Sequence, residues 1–159
     1  MKMRIGIIII FNNNETHIDK DFIIKQINDS QNIELCLVDN FSKDRTLSLL
    51  LDIKESCEKK VSVVEIKKHA SENAAKRAGA RYMFNQYNLK HIGFINANKI
   101  LNGESLNTLV ESVVVNHKMI IDLNLKTIER QKIKQSLFKS IFSIVDYLKT
   151  VNSKKSLIN

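Results

Sequence analysis

The chain has 159 residues, 43% hydrophobic and 26% charged, which suits one globular domain with a sizeable core. It contains no apolar run near the ~20 residues that a membrane-spanning helix requires. Its net charge of +8 is uneven: residues 126–159 carry +6 and residues 1–125 only +2, so the basicity belongs to the C-terminal stretch.

Cys36 and Cys57 are too few and too far apart to staple a fold, and are expected to be buried free thiols of a reducing cytosol. His17, His69, His91 and His117 show no zinc-ligand spacing, and the four glycines form neither a Walker loop nor a dinucleotide fingerprint.

Met1 to Arg4 is charged, but Ile5 to Phe11 is short for the core of a leader and reads as a first strand, β-branched and buried on both faces. Asn12-Asn13-Asn14 breaks it, and Glu15 to Asp29 follows as a short helix. Ile33 to Asp39 is the second strand. Ser42 or Asp44 can cap the next helix, whose inward residues are Leu47, Leu50, Leu51 and Cys57. Val61 to Lys67 alternates enough to be an edge strand. Ser71 to Gln86 is a helix with Ala74, Ala75, Ala78 and Gly79 clustered, and His91 to Ile95 a fourth strand. Glu104 to His117 reads as a helix and Lys118 to Leu125 as a fifth strand.

From Thr127 to Val151 the apolar positions Ile133, Leu137, Ile141, Ile144, Val145, Leu148 and Val151 share one side of a single long helix, which Phe138 and Phe142 widen. Strands alternating with helices predict an α/β fold with a mostly parallel central sheet. In such folds ligands sit at the carboxyl edge of the strands. Two strands here end in polar residues: Asp39-Asn40-Phe41-Ser42 after the second, and Asn96-Ala97-Asn98-Lys99 after the fourth.

The order of these pieces resembles glycosyltransferase family 2, whose nucleotide-sugar-binding half has a GT-A fold. Ile7 to Ile18 is similar to the family's opening strand and Pro-x-Tyr-Asn-Glu turn, with Asn13 matching. Val38 to Thr46 is similar to its Val-Asp-Asp-Gly-Ser-x-Asp-x-Thr block. Ala74-Ala75-Lys76-Arg77-Ala78-Gly79, followed by Ile92 to Asn98, is similar to its Ala-Ala-Arg-Asn-x-Gly helix and Asp-x-Asp strand end. The resemblance implies a GT-A-like (Rossmann-like) domain over residues 1–125; the apolar periodicity adds a long amphipathic helix over 126–152 packing on the domain or a partner, and residues 153–159 read as a frayed tail.

The departures fall on the acidic positions. Asn14 stands where the family has Glu, Asn40 where it has a second Asp, and Asn96 and Asn98 where it has both carboxylates of Asp-x-Asp; Asp39 matches. The family uses that last pair to hold Mg²⁺ or Mn²⁺. Hard cations select charged oxygens, so these neutral amides disfavour a metal, and Lys76 and Lys99 are the alternative positive charges. The expected nucleotide-sugar site comprises Phe11, Asn13, Asn14, Asp39, Asn40, Ser42, Lys76, Asn96, Asn98 and Lys99. Asp39 would accept from the base or ribose, Lys76 and Lys99 would face phosphate, and Asn96 and Asn98 would orient the sugar diphosphate.

No acid among Glu104, Glu111, Asp122 and Glu129 stands out as a catalytic base. The resemblance therefore implies either a divergent glycosyltransferase or a catalytically inactive GT-A-like assembly module. The 127–151 helix would pack on the sheet and on a second copy or partner protein, or lie on an anionic membrane surface. A cytoplasmic location follows, with peripheral contact at the inner membrane face under the last reading. Nucleic acid is not an expected partner, because the basic stretch rides on an apolar-sided helix with no RNA-binding motif.

Overall fold

The computed structural model describes residues 4–57, 59–87, 89–100, 104–131 and 140–158. Among the described residues five parallel strands form one sheet in the order β3-β2-β1-β4-β5. They are β1 (Ile5–Phe11), β2 (Ile33–Asn40), β3 (Val61–Ile66), β4 (His91–Asn96) and the two-residue β5 (Phe142–Ser143). β1 and β2 are buried along their whole length, as strands at the centre of a parallel sheet should be; β1 is an unbroken apolar run, while β2 also buries Glu34, Asp39 and Asn40. β3 lies at one edge, as its alternation predicts.

The period of two in β1 sorts the core into two halves. Ile5, Ile7, Ile9 and Phe11 face a cluster with α1 (Lys20–Asp29), α2 (Thr46–Ser56), α4 (Leu106–Arg130) and α5 (Ile144–Ile158). Ile8 and Ile10 face the other, with Cys36, Val38 and α3 (Glu72–Gln86). α3 comes very near the sheet at Gly79, where an added Cβ would lie 2.8 Å from Ile8 Cγ2 and 3.1 Å from Val38 Cγ2. The small residues of that helix thus serve sheet packing, with Ala75, Gly79 and Ala80 buried and Ala74 exposed. Cys36 and Cys57 are free and buried, and burial pushes the Cys36 thiol up to about 12.

Side-chain caps mark three helix starts: Asp19 accepts from Phe22 N, Ser71 from Ala74 N, and Ser105 from Thr108 N, each at 3.1 Å. The first predicted helix begins later than expected, since Glu15–His17 form a 3-10 turn ahead of α1. Ahead of α2, Asp44 Oδ1 accepts from Thr46 N at 2.9 Å. On α2, Leu50 and Ile53 are buried and Leu51 is exposed, against the expectation for Leu51.

The C-terminal third differs most. Lys118 to Leu125 is not a strand, because α4 continues through it to Arg130. Ile120, Ile121 and Asn124 are buried at helical spacing from Val113 and Asn116. The helix kinks at Asn116 (φ −106°, ψ 15°), whose amide donates to Ser112 O at 2.8 Å and accepts from Lys155 Nζ at 2.6 Å.

The single helix expected over 126–152 is also corrected. α4 ends at Arg130, β5 joins the sheet at Phe142–Ser143, and α5 runs from Ile144 through the stretch expected to fray. Ile133, Leu137 and Phe138 lie outside the described residues. Ile144, Leu148 and Val151 are buried within the chain itself, so this part of the apolar side packs on the domain, the first of the expected alternatives, against α4 and the sheet. Among the described residues no helix is long and apolar enough to cross a membrane.

Candidate functional site

Strand order reverses direction at β1: β2 and β3 lie to one side, β4 and β5 to the other. Open parallel sheets have their crevice at such a switch point. Phe11 pairs with Asp39 and Ile10 with Asn96, so the ends of β2 and β4 flank β1 at one edge, ~10 Å apart by strand spacing. The two polar strand ends expected to share one edge do share it.

The loop after β1 is bound to the loop after β2. Asn12 Nδ2 donates to Asn40 O (2.7 Å), Asn13 N to Ser42 Oγ (2.9 Å), Lys43 N to Asn13 Oδ1 (2.8 Å) and Asn14 N to Thr46 Oγ1 (2.8 Å). Two residues here adopt left-handed backbone, Asn13 at φ 55° and Phe41 at φ 59°. Asn tolerates that region; for Phe, standing where the resembled motif has Gly, it costs about 1–2 kcal/mol.

Asp39 is 2% exposed. Its Oδ2 accepts from Ser42 N at 3.4 Å, while its Oδ1 is buried without a partner. Burial pushes its carboxyl above the usual range, opposed by Ser42 and reinforced by Glu65 and Asp44. Asn40 is spent on structure. Its Nδ2 donates to Ala70 O at 2.8 Å and its Oδ1 accepts from Ala70 N at 2.9 Å, pinning the segment that leads into α3.

Across the switch point the carboxamides of Asn14 and Asn98 meet at 2.8 Å, and Asn14 is 3% exposed. Asn96 Oδ1 accepts from Asn98 N at 3.0 Å, and Asn96 Nδ2 donates to Glu72 Oε2 at 2.8 Å. Lys99 Nζ lies 2.8 Å from the same Glu72 oxygen. Bonds from Lys99 and Asn96 hold the Glu72 carboxyl below the usual range despite partial burial. Lys76 places its ammonium 4.3 Å from the centre of the Phe94 ring, a cation–π contact.

Beside Asn14 and Asn98 opens a cleft of about 520 Å³, lined also by His17, Ala97, Ile100, Glu104, Ser105 and Leu106. A smaller hollow of about 140 Å³ lies between Lys99, Glu104, α4 and α5, with Lys149 and Asn152 on its wall.

The edge therefore gathers Asn13, Asn14, Asp39, Asn40, Ser42, Asn96, Asn98 and Lys99. Phe11 does not line it, for its ring is wholly buried in the core and only its backbone reaches the edge. Sequence reasoning sets aside Glu104 as a base and His17 as a zinc ligand, yet both line the cleft, and it misses Glu72 and Ser105 altogether. Glu72 follows a helix cap and looks like an ordinary first-turn acid; its convergence with residues 24 and 27 positions later leaves no local signal.

A metal fits this donor set poorly. Asn96 and Asn98 carry no charge, Asn96 turns its N–H toward Glu72, and an ammonium shares that carboxylate oxygen. Among the described residues no three His, Cys, Asp or Glu side chains gather as a metal would need.

A family model described as "Glycosyl transferase family 2" matches residues 7–153. Comparison with curated proteins found no match. Among solved structures the chain is similar to the mannosyltransferase PcManGT from Pyrobaculum calidifontis, in complex with GDP-Man and Mn²⁺, at 22% identity and TM-score 0.44 over 52% of this chain and 25% of that one. It is also similar to S. aureus TarS 1-349 at 18% identity and TM-score 0.48, and to TarS 1-349 in complex with UDP at 18% and 0.45, each over 72% of this chain and 33% of the other. The chain thus spans a quarter to a third of these proteins' length.

Proposed function

The chain belongs to glycosyl transferase family 2, and from that premise we propose that it binds a nucleotide-diphospho-sugar at the β1–β4 switch point and transfers the sugar to an acceptor without a divalent metal. The observation that carries the reading is the convergence of Asn13, Asn14, Asp39, Asn96, Asn98 and Lys99 at one carboxyl edge beside an open cleft. Asp39 supplies a buried acceptor whose Oδ1 awaits a donor, which a base or ribose provides. Asn96 and Asn98 offer neutral amides to the sugar diphosphate, and Lys99 offers fixed positive charge. Catalysis needs a base at the acceptor hydroxyl; among the described residues, Glu104 is the one acid that lines the cleft.

Calorimetry with uridine and guanosine diphosphate sugars, in Mn²⁺ and in EDTA, tests this. We expect binding of equal strength in both, and D39N should abolish it. Absence of binding in either condition overturns the nucleotide site, while binding only with Mn²⁺ overturns the metal-free part.

A second reading, a catalytically inactive assembly module, is favoured by the closed state of the edge: Asp39 is buried and Asn14 bridges to Asn98. Slow hydrolysis of a bound nucleotide sugar would decide for the enzyme.

A further inference from the structure

Two donors from the end of β4 converge on a single oxygen of α3. Asn96 Nδ2 and Lys99 Nζ each lie 2.8 Å from Glu72 Oε2. A charged amine and an amide N–H aimed at one carboxylate oxygen form the donor arrangement that binds a phosphate oxygen, filled here by the chain's own side chain. Lys76, over the Phe94 ring, adds a further positive charge to the field at Glu72.

We propose that Asn96 and Lys99 form an anion site for a diphosphate and that Glu72 is its resident occupant, which the ligand must displace. The inference rests on the nucleotide-sugar reading and adds to it a named competitor. Displacement is easy on this geometry. The Lys99 side chain is 68% exposed and the Glu72 side chain 27%, so their pair is a partly solvated contact of the kind that contributes little. A diphosphate brings more negative charge to the same donors than one carboxylate does. Glu72 thereby sets a threshold: monoanions compete poorly against it, and dianionic or trianionic phosphates win.

The opposite role for Glu72 is that of a positioning residue that holds Lys99 ready, and the two roles give opposite signs. Calorimetry of inorganic pyrophosphate and of uridine and guanosine diphosphate, all in EDTA, compares wild type, E72Q, K99M and E72Q/K99M. E111Q, on the exposed face of α4, controls for net charge. Under the proposal E72Q binds pyrophosphate and the nucleotides about 2–5-fold tighter than wild type, while E111Q does not. Adding K99M removes that gain, so the cycle shows coupling between the two positions. Unfolding curves verify that each variant is folded.

Binding by E72Q equal to or weaker than wild type overturns the proposal. If wild type still binds nucleoside diphosphate in that case, the nucleotide-sugar reading stands without it. If neither wild type nor E72Q binds any of the three ligands, both fall.

Discussion

Asn40 occupies a position where family 2 carries an acid, and restoring that acid should damage the fold. The native side chain makes a two-point contact with Ala70, donating through Nδ2 at 2.8 Å and accepting through Oδ1 at 2.9 Å, and it is buried. In N40D the accepting half survives, but a carboxylate oxygen replaces the donor and faces the Ala70 carbonyl. The lost hydrogen bond removes about 1 kcal/mol, and leaving two acceptors opposed and unsatisfied costs about 1–3 kcal/mol more. Strengthening of the surviving bond by charge returns a fraction of that. The net expectation is a loss of about 2–3 kcal/mol at pH 7.5.

The pH dependence of this loss has a definite sign. A buried carboxyl facing a carbonyl has its folded pKa raised above the unfolded one, so N40D is penalised fully only above that folded value. As pH falls the protonated carboxyl donates to Ala70 O much as the amide does, and the deficit shrinks. Urea unfolding of wild type and N40D at pH 7.5 and pH 5 measures both differences. A stability gap under about 0.5 kcal/mol at pH 7.5, or one of equal size at both pH values, would refute the account of Asn40 as a backbone-pairing amide.

Three other substitutions test separate parts of the structure. Lys60 Nζ donates to Ile27 O (3.1 Å), Asn28 O (3.2 Å) and Ser30 O (2.6 Å) at the end of α1, so K60M should lose about 2–3 kcal/mol in urea unfolding. G79A gains about 1 kcal/mol in helix propensity but forces a methyl onto the buried branched side chains of Ile8 and Val38. Overpacking of about 1–3 kcal/mol dominates, so thermal unfolding should register a net loss. D39N removes a carboxylate whose folded pKa is raised by burial. Its destabilising effect is present above the folded pKa and absent below the unfolded one, so D39N should exceed wild type in stability at pH 7.5 and lose that advantage as the solution is acidified.

The central sheet was legible because β1, β2 and β4 each carry an apolar run bounded by polar residues, broken in β2 by Glu34 alone. The C-terminal third was not, and the reasons are particular. Met119, Ile121, Leu123 and Leu125 alternate like a strand, yet Ile120, Ile121 and Asn124 are buried at helical spacing in α4. A buried Asn interrupts the apolar signature there: Asn124 pairs its amide with His91 Nδ1 at 2.8 Å and accepts from Tyr147 OH at 3.1 Å. Neither partner is near in sequence. Likewise the candidate positions were visible as polar strand ends, while their burial and mutual contacts were not. Burial of Asp39, the Asn14–Asn98 contact and the reach of Glu72 all depend on tertiary placement that no local pattern encodes.

Phe41 holds its left-handed turn without the conformational licence of glycine, and its neighbours Asn40, Ser42 and Lys43 are tied across to Asn12 and Asn13 rather than to one another. Each loop is consequently the mould in which the other is cast. Segments so interlocked should open as one cooperative unit, with the amides of Asn13, Asn14 and Lys43 sharing a common exchange free energy. Whatever guest reshapes the rim at β1 will reshape it at β2 in the same stroke.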